Sequence, residues 1–527
     1  MQIVGAKVAT TTMNHSSAPL SNKVLRSWYV RIRAIIGSHV VLLVLLSGQF
    51  ALVQALTGPQ YGDAPRNMHW GILIVENPAF LFGAPDTYER IKGFPPDPPS
   101  LAPLALYRFP QGGLHRWWGP VPPLIFACVW ALTRSYTALH LVIPLAGAGV
   151  VLLTYWLARL WLMRREALMA AAFLACFPLF RDYATVAYSE ALSALALTAA
   201  LLAYVRERTV AAVILGGLAA LMKLDLLALY FGSVGIAAAW SFVTQWRRRE
   251  PVTLSSWVHT LAALIGPALI ASPWVWFHYL GQGERAPTGG LSLRQFSLVA
   301  PQMLELLFYI PWYGALLTLA VIGALAGIGA CSDRFPSNAL ALLLAWMGLG
   351  VVVLLVYAAT PGSGNSPRVI IPALPPLALL VAAGFTRLPL PWKRRAAFYL
   401  VVLFTLINLV TIGYYAGEGA RLRSYEPVWQ VLRSQPRGYV LTEAYWPTIL
   451  YARQPATWFE FDEVFRRNIM ENVDHFVRYT SQHPIRYVVL PAHDDTLASP
   501  EVRAYLERHA RRVEAGKFVV YVVPDKR

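Results

Sequence analysis

Charge is scarce in this 527-residue chain: 14% of its residues are Asp, Glu, Lys or Arg, against about 25% in soluble domains. Hydrophobic residues make up 56%. Apolar runs of about 18 residues or more recur from Val40 to Ala416, which excludes an ordinary soluble enzyme and indicates a polytopic α-helical membrane protein. Acids are the scarcer sign, 28 against 45 basic residues, for a net charge of +17. Much of that charge sits in short clusters between apolar runs, at 23–33, 164–165, 206–208, 247–249, 334 and 393–395. Positive-inside topology puts such clusters on the cytoplasmic side. No basic patch interleaved with aromatics occurs, so no nucleic-acid partner is expected. Cysteine is rare too. Cys128, Cys176 and Cys331 are the only three, without zinc-ligand spacing or the even count of a disulfide framework.

What is present is a succession of spans. They are expected at 38–57, 137–160, 166–181, 189–205, 209–223, 226–245, 255–275, 303–329, 338–358, 369–387 and 396–416, eleven in all. Residues 1–37 are basic and form a cytoplasmic N-terminal segment. The first run resembles a signal peptide with a weak "VQA" cleavage site, but the embedded remainder favours an uncleaved span. The segment "GPVPPLIFACVWALT" (119–133) is short and opens on three prolines, so it reads as a half-inserted juxtamembrane helix rather than a crossing. With that reading the basic clusters share one side. The expected plan is a transmembrane domain over 38–416, a first outer loop over 58–136, and an extracytoplasmic domain over 417–527.

In that last region "GYVLTEAYW", "IRYVVLPA" and "KFVVYVVP" read as strands. "VFRRNIMENVDHFVRYT" and "PEVRAYLERHARR" read as amphipathic helices. The alternation predicts a small α/β domain. No glycine-rich phosphate fingerprint follows these strands, and every cytoplasmic loop is short, so chemistry is expected on the outer side.

Several ionisable groups are expected at the outer membrane surface, where such groups are expensive and usually have a reason. Asp63 opens "GDAPRNMHWGILIVENP" and suits a helix cap as well as a substrate contact; Arg66 and His69 follow it. Glu190, in "YSEAL", stands in the first turn of a span, where the helix dipole favours a carboxylate and Ser189 is placed to cap. Asp182 reads as a solvated loop residue. Lys223, in "LMKLDLL", suits a snorkelling lysine or a phosphate contact. Arg368 opens a span after the glycine-rich "TPGSGNSPR" and suits an interfacial anchor or a phosphate clamp. His115 and Arg116, in "GGLHRWWGPVPPL", have the same two readings. His493, Asp494 and Asp495 read as a loop rather than a metal site.

This order of features resembles the GT-C superfamily of integral membrane glycosyltransferases, and within it the protein O-mannosyltransferase and aminoarabinose-transferase-like branch. "GDAPRNMHWGILIVENP" is similar to the family's acid-led first-loop helix, and "RWWGPVPPLIF" to its proline-rich juxtamembrane segment. "YSEAL" falls where many members carry Thr-Asp before a long apolar helix. "GGLAALMKLDLL" and "PRVIIPALPPLALL" follow in the family's order. The pattern departs in its second acid, a glutamate, and in Ala-Pro where a second acid would follow Asp63. No DxD motif appears, so a divalent metal stays open without that motif's support, and the sequence identifies no certain cofactor. The Trp-Trp-Asp signature of oligosaccharyltransferases is missing as well.

The resemblance implies transfer of a sugar from a polyprenyl-phosphate-linked donor to an extracytoplasmic acceptor in a bacterial inner membrane. Asp63 and Glu190 are the implied catalytic acids, and Lys223, Arg368, Arg116, His69 and Arg66 the implied substrate contacts. Two other classes stay open: a transporter or flippase of lipid-linked glycans, and a non-catalytic scaffold of envelope assembly.

Overall fold

The computed structural model describes residues 39–58, 64–82, 119–249, 251, 253–276, 296–297, 299, 335–359, 367–385, 391, 406, 409–410, 412–457, 469–482, 485–493 and 497–524. Helices dominate. In order they are α1 (His39–Thr57), α2 (Ala64–Glu76), α3 (Val121–Thr133), α4 (Tyr136–Ala158), α5 (Arg164–Cys176), α6 (Pro178–Tyr183), α7 (Glu190–Val205), α8 (Thr209–Met222), α9 (Leu224–Arg248), α10 (Leu254–Val275), α11 (Ser337–Ala359) and α12 (Leu374–Phe385). Among the described residues five helices are long and apolar enough to cross a membrane: Tyr136–Ala158, Asp225–Arg248, Leu254–Val275, Ser337–Ala359 and Arg368–Phe385. Shorter apolar helices cover Leu43–Leu56, Glu190–Val205 and Thr209–Met222. The expected spans at 303–329 and most of 396–416 lie outside the described residues.

Proline places the breaks. Pro178 ends α5 and starts α6, so the expected crossing over 166–181 is a helix of 13 residues followed by a short second one. At 1.5 Å per residue α5 is about 20 Å long, short of the roughly 30 Å hydrocarbon core. Pro122 and Pro123 sit in the first turn of α3, where their missing N–H groups cost nothing. The 119–133 segment is therefore a helix, of the short kind expected.

The helices run back and forth between two ends. At one end α7 begins at Glu190, and α8 and α9 meet around Lys223. Tyr357, near the close of α11, sets its ring 5.2 Å from Lys223 Nζ. At the other end Tyr204, late in α7, stacks on His259, early in α10, with ring centroids 5.1 Å apart. There too Trp161, just beyond α4, meets Phe335, just before α11, and α9 closes on Arg247 and Arg248.

After helical residues 412–423 come α13 (Glu426–Ser434), β1 (Tyr439–Leu441), β2 (Ala456–Thr457), α14 (Val473–Gln482), β3 (Ile485–Pro491), α15 (Pro500–His509), β4 (Arg511–Ala515) and β5 (Phe518–Val522). The sheet order is β2-β1-β3-β5-β4, with β2, β1 and β3 parallel and β3, β5 and β4 antiparallel. Two strands went unread in the sequence. β2 has only two residues. Arg511 and Arg512, read as the tail of a helix, open β4, because Ala510 is already extended and Gly516 at φ 68° turns the chain into β5. Trp429, Trp446, Tyr487 and Tyr521 fill the core of this part. It docks on the bundle through a π-helical turn, Thr448–Ala452. The Tyr136 hydroxyl donates to the Leu450 carbonyl at 3.0 Å, and His140 Nε2 meets the Tyr451 hydroxyl at 2.8 Å.

Candidate active site around Glu190

Glu190 is the first residue of α7 and is buried. A carboxylate there faces the unpaired N–H groups of the first turn and is favoured by the helix dipole. Ser189, expected to cap, adopts helical backbone angles and makes no side-chain cap bond, so the acid is the first turn's polar group.

Two cations reach the same oxygen of Glu190. Arg368 Nε lies 3.2 Å from Oε1 and Lys223 Nζ 4.0 Å from it. Lys223 also lies 3.5 Å from Asp225 Oδ2, which completes a set of two acids and two cations with no net charge. Aromatic rings flank both cations, Tyr188 at 4.9 Å from the Arg368 guanidinium carbon and Tyr357 at Lys223. Taking four charges out of water is costly unless they pair, and here they pair. Among the described residues Glu190 Oε2 and Asp225 Oδ1 are nevertheless buried without a hydrogen-bond partner.

Each member is positioned by a local device. Lys223 occupies the break between α8 and α9 with an extended backbone, φ −164° and ψ 135°, so neither helix buries it along its length. Arg368 lies in a 3₁₀ stretch, Pro367–Ala373, that leads into α12. That stretch is pinned by Trp346 of α11, whose indole N–H donates to the Pro372 carbonyl at 2.9 Å. Gly350 lets it come close, since a Cβ there would stand 2.2 Å from Ala373 Cβ.

The first-loop helix and the juxtamembrane helix are tied to the same end. Asn67 of α2 donates to the Ala187 carbonyl at 2.7 Å, three residues before Glu190. The Gly119 N–H donates to the Met222 carbonyl at 3.1 Å, next to Lys223. A Cβ on Gly119 would stand 1.7 Å from the Leu221 carbonyl oxygen, so only glycine fits. α2 and α3 cross closely at Gly71, where a Cβ would meet Phe126 Cβ at 2.5 Å.

Of the expected site residues, Glu190, Lys223 and Arg368 converge. Arg66 and His69 are buried at the junction of α2 with the C-terminal part. Arg66 is stacked between Trp70 at 4.5 Å and Trp446 at 5.1 Å. His69 Nδ1 is 3.2 Å from Arg453 Nη1, and Arg453 also pairs with Glu76. Asp63, Arg116, His115, Asp494 and Asp495 lie outside the described residues, while His493 is exposed. Asp182, read as solvated, is half-buried, with Arg181 Nη2 3.8 Å away and that arginine almost fully buried. Sequence reasoning passed over Asp225, Asn67 and Arg453. Asp225 had a signal, since "KLD" places it two residues beyond Lys223. Arg453 had none. Among the described residues no three His, Cys, Asp or Glu side chains group as metal ligands, and two cations already hold the acids at Glu190.

No protein-family model matches the chain, and no curated protein matches it. Solved structures do. One is ArnT from Cupriavidus metallidurans bound to undecaprenyl phosphate, at 14% identity and TM-score 0.56, covering 92% of this chain and 98% of that one. The same protein in the apo state gives 15% identity and TM-score 0.52, with 92% and 97% covered. The Archaeoglobus fulgidus oligosaccharyltransferase in complex with Zn and sulfate gives 14% identity and TM-score 0.51, with 93% and 74% covered. All have the GT-C fold. So does this chain, over more than nine-tenths of its length.

Proposed function

We propose that this GT-C-fold chain is an integral membrane glycosyltransferase that moves a sugar from a polyprenyl-phosphate carrier to an acceptor hydroxyl outside the cytoplasm. The observation that carries the reading is the pairing of Lys223 and Arg368 on one oxygen of a buried acid, beneath α2 and α3. Two cations flanked by aromatic rings at the end of a helical bundle suit a lipid phosphate, and the structural neighbour bound to undecaprenyl phosphate supports that carrier class.

In the reaction the acceptor oxygen attacks the anomeric carbon of the donor sugar. The bond from that carbon to the phosphate oxygen breaks, and the electron pair leaves with the polyprenyl phosphate. Lys223 and Arg368 offset the charge that develops on the phosphate, in a site where low water content strengthens the effect. Asp63 takes the acceptor proton as general base. Glu190 orients the acceptor or shares the base role: a substrate hydroxyl donating to Oε2 would satisfy a carboxylate oxygen that is otherwise unpaired at a cost. When the phosphate draws Lys223 and Arg368 away from Oε1, that oxygen also becomes free. Arg116 is assigned a further phosphate contact. Arg66 and His69, assigned to the substrate from the sequence, also hold α2 against Trp446 and Arg453. The acceptor is an envelope glycan, lipid or protein.

The test is Asp63→Asn in membranes supplied with a lipid-linked sugar. Transfer should fall by about 10²–10⁴-fold, the usual contribution of a positioned general base, with folding intact. Turnover at the normal rate would remove Asp63 as the base. A transporter would move lipid-linked sugar across vesicles without forming a new glycosidic bond, so radiolabel on the acceptor separates the two classes.

A further inference from the structure

At the end of the bundle away from Glu190, the helices enclose a second polar space that the proposed transfer reaction does not use. α7 runs 16 residues from Glu190 to Val205, so the two sites stand about 22 Å apart along its axis. The space is a cavity of about 270 Å³ between α7, α9, α10 and α11, lined by Tyr204, Glu207, Ser241, Gln245, His259 and Asn338 among others.

Its walls are held in place. His259 Nε2–H donates to the Tyr204 carbonyl at 3.1 Å, and its Nδ1 accepts from the Thr209 hydroxyl at 2.7 Å. The imidazole is thus fully used and stacks on Tyr204. Gln245 donates to Ser241 at 3.1 Å, which leaves the Ser241 proton to point elsewhere. Asn338 accepts from the Ala339 N–H through Oδ1, which leaves its amide nitrogen uncommitted among the described residues. The lining therefore offers hydroxyl and amide donors.

The rim is basic. Arg206 and Arg208 follow α7 directly, and Arg247, Arg248 and Arg249 close α9 two residues beyond Gln245. All five are exposed, and against them stand two acids, Glu207, which also lines the cavity, and Glu250, next after Arg249 in the sequence. None of the five forms an ion pair among the described residues. Below the rim the outer faces of α9 and α10 are apolar and exposed, through Phe242, Val243, Trp257, Val258, Leu261 and Ile265. Phe242 and Trp257 meet edge to face at 5.8 Å. Trp240 and Trp246 stand exposed beside them, the composition of a membrane–water interface.

We propose that this cavity binds an anionic phospholipid. The lipid phosphate is taken by the arginine rim and the uncommitted donors of Ser241 and Asn338, the glycerol and ester groups by the polar lining, and the acyl chains lie along the apolar face of α9 and α10. A polar pocket beside unpaired guanidiniums at the membrane surface fits that chemistry: the five exposed arginines outnumber the two neighbouring acids, Glu207 in the lining and Glu250 after Arg249, and cations at such a surface attract an anionic leaflet. A head group without net charge gains nothing from the rim.

The experiment is native mass spectrometry of the full chain in detergent, titrated with phosphatidylglycerol, with phosphatidylcholine of the same acyl chains, and with inorganic phosphate. Phosphatidylglycerol should be retained at least about tenfold better than phosphatidylcholine, and inorganic phosphate should not displace it. The variant R206Q/R247Q/R248Q should abolish that preference. Ser241→Phe, which fills the cavity without touching the rim, should remove the bound lipid. Equal retention of the two lipids, or wild-type retention in both variants, overturns the proposal. Displacement by inorganic phosphate alone assigns the cavity to a free anion and overturns it too. If the triple variant does not fold, Ser241→Phe alone decides. Sugar transfer is not read here, so failure of the transferase reading leaves this result intact.

Discussion

At the scale of the residue, Glu190 shows an asymmetry that makes its two roles separable. Arg368 and Lys223 share Oε1 while Oε2 has no partner among the described residues. Glu190→Gln removes the charge that holds the cations but keeps the shape. Its expected signature is split: turnover falls by about 10²–10⁴-fold, while affinity for polyprenyl phosphate does not weaken, because Lys223 and Arg368 no longer have a competing carboxylate. Arg368→Glu should do the opposite. It replaces a charge-assisted bond, worth about 1.5–3 kcal/mol, with repulsion of the phosphate, so donor affinity should drop at least about tenfold. Titration with the phosphorylated polyprenol reads both; equal losses of donor affinity in the two variants would contradict this division of labour. The three residues were legible in the sequence because each is an ionisable group beside an apolar run. That they touch was not, since residues 190, 223 and 368 belong to separate helices. Arg66 and His69 stood out for the same reason, and the fold gave them tryptophan and arginine partners from the far end of the chain.

At the scale of the element, the site depends on how closely α2 and α3 lie on the bundle. Gly71 sits where α2 crosses α3, and a methyl group there would meet Phe126 Cβ at 2.5 Å and the Ala127 nitrogen at 2.9 Å. The backbone atoms cannot give way without moving α3. Gly71→Ala should therefore cost about 1–3 kcal/mol, the usual range for overpacking, read as a lower thermal unfolding midpoint in detergent. A stabilised variant would mean that the crossing has room. Helix positions in the sequence were legible to within a few residues, as α1, α4, α7, α10 and α11 illustrate, because a buried apolar run of that length can only close its backbone hydrogen bonds as helix. β4 was not. Arg511–Ala515 has two arginines and a glutamate at an edge, and edge strands carry such charges without showing a strand's apolar alternation.

At the scale of the whole molecule, the chain has two unlike ends. One holds the acids and cations of the candidate site together with the docked C-terminal sheet; the other holds the arginine turns. The expected topology places the first outside the cytoplasm and the second inside. Cysteine introduced at exposed positions tests it, on a background in which the native cysteines are replaced by serine. His493→Cys should react with a membrane-impermeant maleimide from outside intact spheroplasts. Arg249→Cys should react only after permeabilisation. Labelling of both from the same side would overturn the two-ended reading, and the reverse pattern would invert the protein in the membrane.

The sequence alone determined that the chain is helical and membrane-embedded and that a small α/β unit follows, because apolar length and strand-like alternation are local properties. The order of its acid-led and proline-rich segments was enough to suggest the GT-C fold. Only the tertiary structure decided that Lys223 and Arg368 share one oxygen of Glu190, that Asp225 completes the set, and that Arg453 reaches back to His69 and Glu76. Those contacts join residues up to several hundred positions apart. No local pattern encodes them, although glycine at residues 71, 119 and 350 leaves room for the close approaches around the site.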